Sequence, residues 1–347
     1  MVDTMALMLP FGRASRTTRT AEHLVALPAD DEVLLDAPDD RLGPALVAAG
    51  SGAYEPAAAL LARTRQQAQW EYRDRYTLHL AAFARSRTEW LESWYAAAPQ
   101  DPDALLIRAQ LAVDHAWRSP ARAEVLRGVS PLITAAARAD DRDPVPWRIA
   151  LDHARGSRAG HTYFGELWEA ALRRAPRHYG CHVAALRYLA SSWHGSHREC
   201  LDFADLAAQD APADSLVQAL PTRAVLAYLD DDCGPGVPRE RLETAADRAV
   251  ALSARFPAAD LWPAAIRNKL TYVLVRLGRW EDALEQLRLI GPYATSFPWS
   301  RLSEDPLDRF LKMREEVRLR AATDTEGSAR GGHPRSGRGG RVHSGDH

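Results

Sequence analysis

The chain reads Ala112-Val113-Asp114-His115-Ala116-Trp117-Arg118-Ser119, and 38 residues later it reads Ala150-Leu151-Asp152-His153-Ala154-Arg155-Gly156-Ser157. Asp-His-Ala recurs in register, Ser119 is echoed by Ser157, and two such steps from Trp117 lead to Trp193. A fixed period of this length, in a chain rich in Ala and Leu, marks stacked helix pairs that bury their apolar faces against their neighbours. The echo predicts an all-α fold, an α-solenoid of helix-pair repeats. It says little about activity.

Punctuation outside the echo agrees. Asp39-Asp40 offers an N-cap, Leu42, Leu46 and Val47 follow at helical spacing, and Gly50 to Gly52 ends the helix. A second helix starts near Glu55. Further on, Pro99, Pro102, Pro144, Pro176, Pro212 and Pro257 each follow an apolar helical stretch. Proline cannot continue the helix before it and suits the first turn of the next. Helices are expected over 87–98, 103–117, 121–139, 144–155, 161–174, 179–192, 196–209, 213–229, 238–255, 260–276, 279–290 and 305–320. Period-2 alternation is absent, leaving Val33 to Leu35 as the single extended candidate. Residues 1–25 read as a poorly ordered segment, 26–320 as the repeat domain, and 321–347 as a disordered Gly/Arg/Ser/His tail too polar to offset its ordering entropy.

Among 347 residues, 46% are hydrophobic and the net charge is −2, which fits neither a nucleic-acid nor a membrane-surface protein. Of 44 Lys and Arg residues only Lys269 and Lys312 are lysine. Such scattered arginine is expected on a solvated surface. Cys181, Cys200 and Cys233 make no disulfide framework and suit a reducing cytosol. Met5 to Leu9 is too short for a signal segment, and no stretch approaches the ~18 apolar residues of a membrane span. The expected location is cytoplasmic.

The segment Leu277-Gly278-Arg279-Trp280-Glu281-Asp282-Ala283-Leu284-Glu285-Gln286-Leu287 resembles the turn and second helix of a tetratricopeptide repeat. Gly278 stands at the tight turn, Ala283 at the close crossing and Leu287 toward the core, with Leu270 and Thr271 on the first helix. Gly195, Cys200, Ala207 and Pro212 keep a similar spacing, as do Trp168, Ala171 and Pro176. Leu274 and Leu189 stand where the family prefers Tyr, and several units exceed its period of about 34 residues. The segment from Ala175-Pro176-Arg177-His178 to Trp193-His194-Gly195 is also similar to a group of bacterial helical-repeat proteins without an established activity. The resemblance implies a divergent array over residues 40–300 and a binding role.

Candidate sites follow from recurrence and clustering. His178, His182, His194, His197 and Cys200, with Cys181 nearby, form the densest histidine group and would anchor an alternative metal-dependent enzyme or sensor. A dozen helical residues, ~18 Å, separate its halves, too far for one tetrahedral site. No metal and no cofactor is therefore expected. Asp114-His115 and Asp152-His153 cannot be dyads, because helix neighbours do not face each other. They could form a binding surface on adjacent repeats, joined by Trp193 and His197. The Arg-Gly segments near Arg330 and Arg338 would give a nucleic-acid-touching tail but lack an aromatic to stack on bases. The leading expectation is a non-catalytic adaptor with a protein or peptide partner, no membrane contact and no nucleic acid.

Ala283 is expected at the tightest helix crossing of its repeat. Ala283→Leu should cost about 1–3 kcal/mol by overpacking, read as a lowered unfolding midpoint. Unchanged stability would mean that the repeat register is wrong.

Overall fold

The computed structural model describes residues 26–231 and 236–331, with side chains to residue 323. Among them lie sixteen α-helices. In chain order they are α1 (Leu42–Gly50), α2 (Glu55–Gln66), α3 (Trp70–Ala84), α4 (Glu89–Ala97), α5 (Pro102–Arg118), α6 (Arg122–Ala139), α7 (Val145–Gly156) and α8 (His161–Arg174). Then follow α9 (Tyr179–Tyr188), α10 (His197–Asp210), α11 (Leu220–Asp230), α12 (Arg239–Ser253), α13 (Ala264–Arg276), α14 (Trp280–Ile290), α15 (Ser296–Trp299) and α16 (Pro306–Gly331). The expected helix 161–174 matches α8 at both ends. The expected 213–229 is instead a 3-10 turn, Leu216–Ala219, leading into α11.

Local chemistry sets these ends. Asp101 accepts hydrogen bonds from the amides of Asp103 (2.9 Å) and Ala104 (3.0 Å), and Pro102 opens α5 where no donor is needed. Asp39 accepts from the Leu42 amide at 2.8 Å, fulfilling the cap expected there. Gly278 has φ +75°, a conformation that side chains disfavour, and turns the chain from α13 into α14. The last helix runs to Gly331, past the boundary read at residue 320, and Ala321 is buried. Ala, Arg and Glu continue a helix well, so the change in composition does not itself stop it. Residues 1–25 and 332–347 lie outside the described residues, as does Cys233.

Helices α3, α5, α7, α9, α11 and α13 pack in series, each against the next, and α6, α8, α12 and α14 pack against their neighbours in that row. Apolar side chains form three main clusters along the chain, centred on α1–α5, α5–α9 and α9–α16. Within the last, Leu270, Thr271, Ala283 and Leu287 are buried, as the repeat resemblance implies. The two ends of the row also meet. Strand β1 (Leu34–Leu35) pairs in parallel with β2 (Tyr293–Ala294), so the extended candidate at Val33 to Leu35 does form a strand. Arg75 of α3 donates to the carbonyls of Leu261 (3.0 Å) and Trp262 (3.2 Å) before α13, and Arg314 of α16 donates to Pro28 and Asp30.

The expectation that arginine is surface charge fails for Arg73, Arg148 and Arg267, which are 1%, 3% and 0% exposed. Arg73 bonds Asp103 and Asp143, each at 2.6 Å, and donates to the Leu61 carbonyl. Arg148 bonds Asp74 at 2.6 Å and donates to Gln110. Arg267 has no carboxylate within ion-pair distance among the described residues. Its guanidinium donates to Ser253 Oγ and to the carbonyls of Ser253, Phe256, Pro257 and Leu289, all within 2.9–3.0 Å, tying down the end of α12. Five fixed donors make such burial tolerable because each finds an acceptor.

Arg73→Ala should destabilise the fold by about 3–5 kcal/mol, because Asp103 and Asp143 would stay buried without their partner. Arg142→Ala, which removes an exposed pair to Asp140, should leave the unfolding midpoint nearly unchanged. Denaturant unfolding of the two variants measures both, and equal costs would count against the buried array.

Candidate functional site

The meeting of the two ends forms a half-open cavity of about 390 Å³. Its wall comes from α3 (Glu71, Asp74, Arg75), α7 (Arg148, Asp152), α9 (Tyr179, Arg187), α11 (Arg223) and α13 (Lys269), with Trp262 and Phe297 as aromatic surface. Gly180 lets α9 approach α3 here. A Cβ on it would lie 2.0 Å from Asp74 Oδ2. Tyr72 packs tilted against Trp262 with centroids 4.1 Å apart, and Arg75 lies over the same indole at 5.5 Å.

Charge is distributed unevenly around this wall. Asp74 is bound to Arg148, and Glu71 accepts the Tyr179 amide at 2.7 Å. Burial raises Glu71 above the ordinary carboxylate range. Burial also opposes ionisation of Asp152, but Arg187, Arg155 and Arg148 together hold its carboxyl below that range. Among the described residues, Arg223 and Lys269 have no carboxylate within ion-pair distance. Lys269 Nζ donates to the Ala265 carbonyl at 2.8 Å and sits 5.7 Å from the Phe297 ring centre. Arg223 lies 5.9 Å from the same ring. Burial, then Arg187, lowers Arg223 to about 10, and burial, then Arg223, Arg187 and Arg75, pushes Lys269 well below its ordinary value. The arrangement is a cationic corner in a partly apolar cavity, suited to an anionic group.

The residues singled out by recurrence are dispersed. Asp152 alone lines this cavity. Asp114 accepts from Gln110 Nε2 at 2.7 Å. His115 is exposed and borders a separate hollow with Tyr95 and Arg108. His153 is buried, and its Nε2 bonds the Leu126 carbonyl at 2.7 Å, so it closes α6 against α7 instead of meeting solvent. Trp193 packs edge-on to Trp117 at 5.4 Å, with Arg155 over both rings. His197 lies 3.3 Å from Asp231 and edge-on to Tyr228.

The histidine cluster separates as its spacing predicts. His178 Nδ1 accepts the Cys181 amide at 3.2 Å, because a backbone N–H can only donate, and Nε2 faces the Trp70 carbonyl at 3.3 Å. Burial raises the Cys181 thiol, and that side chain is fully enclosed. Cys200, in the next helix, points instead to the Leu186 carbonyl at 3.5 Å. No group of three or more His, Cys, Asp or Glu among the described residues is placed to hold a metal ion. No described helix is long and apolar enough to cross a membrane. Arg75, Arg187, Arg223 and Lys269 went unread in the sequence. The one available signal was Lys269 itself, a lysine in an arginine-rich chain.

No family model, curated protein or solved structure matches the chain.

His153 and His182 set a pH dependence. Burial lowers both below the ordinary histidine value. The unfolded chain therefore binds protons more readily, and stability is lost as pH falls through about 6.5, by up to about 1.4 kcal/mol per pH unit for each residue. Melting curves from pH 7.5 to 5 should show the decline. In His153→Asn/His182→Asn it should be shallower, and an identical slope would remove these residues as its cause.

Proposed function

We propose that the chain is a binding protein of tetratricopeptide-like, helical-repeat architecture, an adaptor that captures a carboxylate-bearing end of a protein or peptide partner in its cavity. The serial packing of α3 to α13 supports the repeat reading. So does the meaning of the period: Arg65 bonds Asp103, and Arg148 bonds Gln110, each pair 38 residues apart. Residues one repeat apart are neighbours in space, as stacked units require.

The observation that carries the functional reading is the cationic corner. Arg223 and Lys269 line a half-open cavity without a carboxylate partner among the described residues. Bringing an anion there would relieve the mutual repulsion of Arg187, Arg223 and Lys269, and low polarity would strengthen the contact. A volume of about 390 Å³ suits a peptide end or a few side chains, not a long extended segment. The role needs no cofactor. Recognition is placed in the cavity, not on a surface shared by His115 and His153, because His153 is buried.

Titration calorimetry with a panel of short peptides ending in free Glu or Asp, each against its C-terminal amide, tests this. Free carboxylates should bind more tightly. Arg223→Gln should weaken them about tenfold, or about 1.4 kcal/mol, the value of one charge-assisted bond. His115→Ala should change nothing. Wild-type affinity in Arg223→Gln, or no preference for the free carboxylate, would retire the cavity as the site.

A further inference from the structure

Lys269 differs in kind from the cations beside it. A guanidinium keeps its proton in a protein, whereas a buried ammonium can lose one. The cavity thus holds permanent positive charge on Arg187 and Arg223 and, next to it, its single primary amine. The hydrogen bond to Ala265 uses one N–H of that amine and leaves the lone pair of its neutral form uncommitted. Phe297 covers one side, and three guanidiniums disfavour a fourth positive charge. Arg75 is already engaged with two backbone carbonyls and Arg187 with Asp152, so Arg223 is the guanidinium left to meet an anion. The chain's other lysine, Lys312, is exposed and paired with Asp308 at 2.8 Å.

We propose that Lys269 is a nucleophilic amine, and that the cavity holds a small aldehyde or ketone bearing a carboxylate or phosphate by forming an imine with it. The proposal rests on the anion-binding reading and adds a covalent step to it. The amine lone pair attacks the carbonyl carbon, the C=O π bond breaks, and a proton moves from nitrogen to oxygen to give a carbinolamine. The hydroxyl then takes a proton and leaves as water while C=N forms. One water is released and nothing is oxidised or reduced. Solvent supplies the proton for that departure. Arg223 holds the anionic group, which fixes the carbonyl near the amine.

Glyoxylate, the smallest carboxylate-bearing aldehyde, is the probe for the first arm. The full chain is incubated with it and cyanoborohydride at pH 7, and labelled lysines are read by peptide mapping. Lys312 in the same molecule is the reference, so the result does not depend on any variant folding. Lys269 should be labelled at least about tenfold faster than Lys312, the advantage of an amine beside which a bound anion holds the carbonyl. Lys269→Arg should abolish that label with the melting curve retained, and Arg223→Gln should slow it toward the Lys312 rate. Acetaldehyde, which lacks the anion, should show less preference for Lys269. The phosphate source is tested in parallel with glyceraldehyde 3-phosphate, and faster labelling by one probe than the other identifies the anion preferred. If Lys269 is no faster than Lys312 while calorimetry still shows glyoxylate binding, the imine is overturned and the anion site stands. If neither labelling preference nor binding of either anion is found, both readings fall. Fast labelling unaffected by Arg223→Gln and equal for acetaldehyde would overturn the assignment of an anionic carbonyl compound.

Discussion

Buried guanidinium–carboxylate pairs between helices distant in sequence constrain this fold more than any other contact. Arg73 of α3 reaches Asp103 at the start of α5 and Asp143 just before α7, and Arg148 of α7 reaches back to Asp74 of α3. Moving any of these helices by a few ångströms would strand a buried ion without its partner, at a cost of several kcal/mol. Apolar packing tolerates small shifts, whereas these bonds do not. They hold α3, α5 and α7 in one arrangement, and the cavity wall is made from the side chains next to them.

The same economy explains why the cavity is electrostatically uneven. Asp74 and Asp152 sit on its wall but are already taken, Asp74 by Arg148 and Asp152 by Arg148, Arg155 and Arg187 in common. Carboxylates that support the structure cannot also neutralise Arg223 and Lys269. The cations at the α11–α13 side are therefore left facing one another, and burial converts their repulsion into a site that favours either an incoming anion or a neutral amine. Both proposals made for this protein draw on that one imbalance.

Closure of the row has a comparable effect on access. Parallel pairing of Leu34–Leu35 with Tyr293–Ala294, and the grip of Arg75 on the backbone before α13, bring the first and last helices of the row to opposite sides of one cavity. An open curved row of helices would offer a long groove to an extended partner. With the ends joined, the space is a compact chamber in which small size and charge matter more than length.

Helical class, the position of most breaks and the 38-residue neighbour relation were legible in the chain, because they depend on local chemistry: prolines that stop helices, an aspartate that caps α1, a glycine that turns α13 into α14. The extended Val33 to Leu35 was visible for the same reason, though its partner was not. Tertiary structure decided the rest. Asp114-His115 and Asp152-His153 are alike in sequence, yet His115 is exposed and His153 is enclosed, since burial depends on whether a neighbouring helix covers that turn. Arginines that read as solvated charge proved to be buried ties where carboxylates or carbonyls converge on them. Arg223 and Lys269 lie 46 residues apart, and nothing local signals that they share a cavity. That proximity exists because α11 and α13 pack side by side in the assembled row. A linear pattern can encode which faces of helices are apolar, but not which charged side chains the assembled fold will bring together.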